Sequence, residues 1–178
     1  FWSNYLDPAS GTLAPSVNGG GIGGASPGTG VNLNFNASGE ATIQVRYPDV
    51  GRMRLHARHD GSGLAGGLVM LGQDEFVSRP ADFTVSGVQR TADGFANPAA
   101  ADAAGPVFIR AGEDITLTVT ARNASGNATP NFGRESSAEG VQLTSALVGG
   151  LGLAVNPVLG NNLIAGAGFS GGAATVTN

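Results

Sequence analysis

The sequence predicts an all-β protein of the sandwich class, and three observations predict it. Short stretches of alternating apolar and polar residues recur along the chain, the period of a strand with one buried face, and no stretch carries a helical stripe. Thirty glycines and nine prolines punctuate the 178 residues, as many short strands require at their turns. A segment is also partly repeated. Phe35-Asn36-Ala37-Ser38-Gly39-Glu40-Ala41-Thr42-Ile43 is echoed by Phe169-Ser170-Gly171-Gly172-Ala173-Ala174-Thr175-Val176. Each copy is an aromatic residue, a glycine-containing turn and the start of a strand. The copies stand about 133–134 residues apart, near the length of one domain.

Taken in order, residues 10–31 are rich in Gly, Ser, Pro and Asn and read as a long loop or a loosely paired strand region. Val31, Leu33 and Phe35 alternate with Asn32, Asn34 and Asn36, predicting a half-buried strand. Ala41, Ile43, Val45 and Tyr47 alternate with Thr42, Gln44 and Arg46 in the same way. Pro48-Asp49-Val50-Gly51 is a turn, with Pro to fix φ and Gly for a left-handed position. Met53, Leu55 and Ala57 then face inward, and Arg52, Arg54, His56 and Arg58 face outward. Residues 60–67 form a flexible break. Glu75–Arg79 and Asp82–Val88 flank Pro80, which cannot donate to a ladder and so marks an edge strand or a domain start. Residues 92–106 are Ala-, Asp-, Pro- and Gly-rich and read as loop. Ile115, Leu117, Val119 and Ala121 alternate with Thr116, Thr118, Thr120 and Arg122 in the clearest strand of the chain. Asn123-Ala124-Ser125-Gly126-Asn127 is a turn cluster, followed by Pro130-Asn131-Phe132-Gly133. Val141–Thr144 and Ala173–Thr177 complete the predicted strands. The expected core residues are Ile43, Val45, Tyr47, Leu55, Phe83, Phe108, Ile115, Leu117 and Val119.

Composition excludes several classes. Net charge is −4, lysine is absent, and all nine basic residues are arginines. A phosphate-binding surface needs a basic patch, and the chain offers only Arg52, Arg54 and Arg58, so nucleic acid is not an expected partner. Cysteine is absent, which rules out disulfides and thiolate metal sites. No apolar run approaches the roughly 20 residues of a spanning helix. The chain opens Phe-Trp-Ser, without Met or a signal peptide, and reads as a mature product or an internal fragment.

Three segments carry a resemblance: Arg79-Pro80-Ala81-Asp82-Phe83, Asn97 to Phe108, and Arg110 to Ala121. Asn123-Ala124-Ser125-Gly126-Asn127 and Thr129-Pro130-Asn131-Phe132-Gly133 extend it. Together they resemble the MshQ-like family of MSHA pilus biogenesis proteins, large bacterial surface proteins. Tyr47-Pro48-Asp49-Val50-Gly51 is similar to that family's recurring Tyr-x-Asp/Glu-Val-Gly element. Gly112–Phe132 is more loosely similar to the bacterial Ig-like modules of intimin- and invasin-type adhesins. The resemblance implies Ig-like β-sandwich modules with long Gly-rich loops, outside a Gram-negative cell, and carries no catalytic motif. Residues 1–79 are then the C-terminal part of one Ig-like β domain plus linker. Residues 80–178 are a second Ig-like β domain, truncated at its C-terminal end where the repeat stops at Asn178.

Candidate chemistry reads as structure at each place. Gly168-Phe169-Ser170-Gly171-Gly172 matches the nucleophile elbow, which needs a strand-to-helix turn with an acid and a His after it. Ala173–Asn178 supplies neither, and the echo at Phe35–Gly39 favours a hairpin turn. Gly19/Gly21/Gly24 and Gly61/Gly63/Gly66 fit G-x-G-x-x-G but open no helix. His56 and His59, at i and i+3, point to opposite faces of a strand and make a poor metal pair. Glu113-Asp114, with Asp93, Asp102 and Asn97 in a loop, are oxygen donors of the kind that hold Ca²⁺ between Ig-like domains. That makes Ca²⁺ the one candidate cofactor, with solvated turn carboxylates the simpler reading. Asn36, Asn123 and Asn127 begin formal glycosylation sequons but sit at predicted turns. Arg52, Arg54 and Arg58 are the possible partner contact, and charged residues there also guard a sheet edge.

The expected function is a non-enzymatic extracellular structural or adhesion module, a stalk or filament segment of a bacterial surface or pilus-associated protein. Expected partners are other copies or domains of that protein, pilus components or host glycans, with no nucleic acid and no membrane span. One alternative is a glycan- or protein-binding module that uses loops 10–31 and 92–106. Another is a self-assembling filament subunit completed by strand exchange, because cut domains expose unpaired edges.

Overall fold

The computed structural model describes residues 1–102, 104–146 and 158–178. The fold is all-β, as the alternations predict, and its two largest sheets lie on either side of Arg79–Ala81. The first contains β1 (Trp2–Asp7), β5 (Gly51–His59) and β6 (Met70–Ser78), in the order β1-β5-β6 and antiparallel throughout. The second contains β7 (Asp82–Arg90), β8 (Ile115–Arg122) and β11 (Ala173–Thr177), in the order β11-β8-β7. A small sheet adds β2 (Ser16–Val17), β3 (Gly20–Gly21) and β4 (Val45–Arg46), and β9 (Val141–Gln142) pairs with β10 (Leu163–Ile164). Among the described residues the helical elements are two single 3₁₀ turns, Gly63–Ala65 and Gly166–Gly168.

β5 behaves as its alternation demands. Met53 is buried and pairs with Phe76 on one side and Tyr5 on the other. Arg52, Arg54, His56 and Arg58 share the opposite face with Trp2, which pairs with His56. β6 and β7, which flank Pro80, are both edge strands, the position where proline costs no ladder bond.

The main core belongs to the second sheet. Leu117, Val119 and Ala121 point one way from β8 and are buried with Phe132, Ile164, Phe169, Ala174 and Val50. The Phe132 ring meets Phe169 edge-to-face at 4.8 Å and Phe83 at 5.3 Å. Such pairs add about 0.5–1.5 kcal/mol beyond their buried area. Phe132 reaches this position because the Thr129–Arg134 segment is a turn, with Phe132 N–H donating to Thr129 O at 3.0 Å.

Several expectations need correction. Val31–Asn36 forms no strand, and of Ala41–Tyr47 only Val45–Arg46 does. Between them Asn36 closes a turn: its N–H donates to Glu40 O at 2.8 Å, and its Oδ1 accepts from Ser38 and Glu40. The arms that leave this turn carry no ladder, so Phe35 is 61% exposed while its counterpart Phe169 is 4% exposed. The second copy of the repeat differs in its neighbour, since β11 has β8 beside it. Val45 and Phe83, expected in the core, are exposed, because β4 belongs to the small sheet and β7 is an edge. β1 and β10 were not expected, and β6 begins five residues before the predicted Glu75.

Candidate functional site at the junction of the two sheets

The segment that leads into β5 and the turn that follows β8 meet in a buried polar knot. Asp49 is 2% exposed. Its Oδ1 accepts the N–H of Val50 at 2.9 Å and of Asn131 at 3.1 Å, and its Oδ2 has no protein partner. Its carbonyl accepts from the Ser78 hydroxyl at 2.8 Å. Asn131 is fully buried. Its Nδ2 donates to the Tyr47 hydroxyl at 3.0 Å and to Val50 O at 3.4 Å, and its Oδ1 accepts from Arg134 at 2.9 Å. Val50, one residue on, inserts into the apolar cluster of the second sheet. A polar clamp and an apolar peg therefore come from consecutive residues.

Local backbone chemistry sets this up. Gly51 has φ +117°, and a Cβ there would lie 2.4 Å from Asp7 O, so only glycine lets β5 start this close to β1. Tyr47-Pro48 brings the chain in, with Pro48 O accepting from Asn123 Nδ2 at 2.8 Å. Further bonds tie the periphery. Arg46 donates to Ser125 Oγ at 2.6 Å, Arg134 to Ser10 Oγ at 3.1 Å, and the Asp7 carboxylate accepts from Ser136 N–H at 2.8 Å and its hydroxyl at 2.7 Å.

Electrostatics follow from burial. Desolvation pushes the Asp49 carboxyl above its ordinary pKa, against the backbone N–H bonds from Asn131 and Val50. Desolvation, then the Asp49 charge, raises the Tyr47 hydroxyl. The Ser136 hydroxyl holds Asp7 below its ordinary value. A buried acceptor without a partner costs roughly 1–3 kcal/mol, so Asp49 is retained at the junction against a local penalty.

The arginine strip lies on one face of β5, as its alternation implies. Glu75 of β6 sits between two of its members, accepting Arg52 Nε at 2.9 Å and Arg54 Nε at 3.0 Å on separate oxygens. Arg58 pairs with Asp60 at 2.6 Å. Beside them the Trp2 ring stacks flat on His56 at 4.6 Å, and His56 Nε2 meets Asn4 Oδ1 at 2.8 Å. Burial, then Arg54, lowers the His56 pKa. His59 is engaged separately, accepting Gly61 N–H at 2.7 Å.

The remaining candidates are not brought together. Asp93 pairs with Arg90 at 2.8 Å, and that bond carries its pKa down to about 2. Asp102 accepts Ala104 N–H, Asn97 accepts Ala99 N–H, and Glu113 accepts Arg110 N–H. Among the described residues no group of three or more His, Asp or Glu is placed to hold a metal ion. Ser170 lies in the turn before β11, its N–H bonded to Ala173 O at 2.8 Å. Asn123, at the head of a sequon, caps a turn through Ser125 N–H at 2.9 Å. Open clefts among the described residues include one of about 620 Å³ beside Phe1 and β5, and one of about 340 Å³ near Asp7, Arg79 and Glu135.

The junction residues Asp49 and Asn131 were not foreseen as a pair. Each sits in a motif that carried the family resemblance, Tyr-Pro-Asp-Val-Gly and Thr-Pro-Asn-Phe-Gly, and that was the available signal.

Comparison with known proteins gives two family matches. The first Ig-like domain of DUF6701, a domain of unknown function, matches residues 1–73, and the second domain of DUF6701 matches residues 79–178. No curated protein and no solved structure matched the chain.

Proposed function

From a chain that belongs to the DUF6701 family, carrying its Ig-like first domain and its second domain in succession, we propose a non-enzymatic structural module of a bacterial surface or pilus-associated protein. The two domains act as one stiff segment of a stalk or filament, outside the cell. The observation that carries this reading is the junction. Asp49, Val50 and Asn131 are buried between domains that only a short linker joins. Inter-domain contacts are ordinarily small and mobile, and a knot with Asp49 and Asn131 buried at its centre instead fixes one orientation. A fixed orientation is what a load-bearing spacer requires. The resemblance to MshQ-like pilus biogenesis proteins supports the same compartment.

The pairing of Arg52 and Arg54 with Glu75 reduces the charge free to meet an anionic glycan, which favours the structural reading over glycan binding. The test is antibody or protease access to the protein on intact cells of its source. Labelling of unpermeabilised cells is the expected result. Labelling only after permeabilisation overturns the extracellular assignment.

A further inference from the structure

We propose that β6 is the pairing edge of a symmetric dimer, in which a second copy of this chain sets its own β6 antiparallel beside it and joins the two sheets into one of six strands. β6 pairs with β5 along its whole length and has no ladder on its outer side among the described residues. Edges of natural sheets are kept short or guarded by proline and lysine. This edge runs through Met70–Ser78 without either. Leu68, Val69, Met70, Leu71 and Val77, along it and at its entry, are each more than half exposed. Added strands bind such an edge through the main chain, and the side chains choose the register.

Charge and proline leave one register. A two-fold axis normal to the sheet sets residues equally far before and after a central residue opposite each other on one face. An axis at Asp74 or Glu75 opposes that carboxylate to its own copy, which destabilises the pair. An axis at Leu71 or Gly72 opposes Asp74 to an apolar residue, Leu68 or Met70. An axis at Phe76 or Val77 brings Pro80, which has no N–H, into the ladder. An axis at Gln73 avoids all of these. It sets Met70 against Phe76, Val69 against Val77, and Asp74 against Gly72. Glu75 then opposes Leu71, with its two oxygens already occupied by Arg52 and Arg54.

The two ends of β6 are also complementary in shape. Before it, residues 61–68 are held by their own hydrogen bonds: Ala65 N–H to Ser62 O at 3.0 Å, Gly66 N–H to Gly63 O at 3.1 Å and Leu68 N–H to Ala65 O at 3.1 Å. This loop presents Leu64 wholly to solvent. After β6 lies the cleft of about 340 Å³, with Val77, Arg79, Pro80 and Phe132 among its walls. Antiparallel pairing brings the start of one β6 beside the end of the other, so each copy's Leu64 loop comes to the other's cleft. A knob and a hole at opposite ends of one strand are what a self-complementary two-fold contact requires.

Cysteine cross-linking tests this in a chain that has no cysteine of its own. Gln73→Cys places both thiols on the axis, at the facing-residue Cα separation of about 4.5–5.5 Å that a disulfide spans. Asp74→Cys places them on either side of the axis, out of reach. Light scattering should give a dimer mass for the parent chain, and under mild oxidation Gln73→Cys should cross-link at least about tenfold faster than Asp74→Cys. Equal rates, or a parent that stays monomeric throughout a concentration series, overturn the proposal. Longer oligomers also overturn it, because two-fold pairing closes at two. Val77→Asp stands beside Arg52 within the fold and opposite Val69 only in the dimer. It should weaken dimerisation at least about tenfold with Trp2 fluorescence unchanged. A dimer that is not weakened lies on another surface and overturns the assignment.

Discussion

A carboxylate that is 2% exposed, with one oxygen unpartnered, makes the stability of this molecule depend on pH in the sense opposite to that of its hydrogen-bonded surface carboxylates. Burial raises the Asp49 pKa, so the folded state binds that proton more tightly than the unfolded chain. Its contribution is complete below the ordinary Asp value and is lost as pH rises through the raised one. Asp7, Glu75, Asp82 and Asp93 have the other sign. Hydrogen bonds from Ser136, from Arg54 and Arg52, from Arg122 and from Arg90 lower their pKa values. Their contributions are complete above the ordinary values and fade as pH falls. Asp49→Asn keeps an acceptor for both backbone N–H groups but cannot titrate. Urea denaturation across a pH series should therefore show the acid-side loss intact and the loss on rising pH gone. An unchanged profile refutes the assignment. Asp49→Ala strips both N–H groups of their acceptor and should cost about 1–3 kcal/mol at low pH, and less as pH rises through the raised Asp49 value.

Among the elements, the core aromatics should rank by burial rather than by their place in a strand. Phe132 is 6% exposed and touches two other rings, so Phe132→Ala should cost about 3–5 kcal/mol. Phe83, on edge strand β7 and 42% exposed, should cost much less when truncated. Chemical denaturation decides, and a larger loss at Phe83 contradicts the core described here. The same pair shows what the sequence could reveal. Alternation identified β5, β8 and β11 because each has a ladder partner on at least one side. Identical alternation at Val31–Phe35 gave no strand, since among the described residues no ladder partner lies beside it. Phe83 looked like core because it opens the apolar/polar alternation Phe83, Thr84, Val85, Ser86, whereas Phe132 sits in a turn sequence where periodicity is silent. The junction was hidden for a related reason: a buried Asp looks like a turn Asp until its tertiary neighbours are placed. The arginine strip was readable as a face, but its pairing with Glu75 depends on the register of β6 against β5.

Across the whole molecule, Val50 places a residue of the first domain inside the apolar cluster of the second, so the two domains should unfold as one cooperative unit. Weakening the knot with Asp49→Ala and Asn131→Ala together should split the transition. Calorimetry of the double variant should resolve two events where the parent shows one, and two events in the parent would show that the domains are independent. The distribution of chromophores provides a second view of the same coupling. The single tryptophan and both tyrosines, Trp2, Tyr5 and Tyr47, all belong to the first domain, and the second absorbs in the near ultraviolet through phenylalanine alone. Intrinsic fluorescence therefore watches one half of the molecule while heat capacity watches both. In the parent protein the two signals should change at one temperature, and any gap between them in a variant directly measures how far the second domain has come loose from the first.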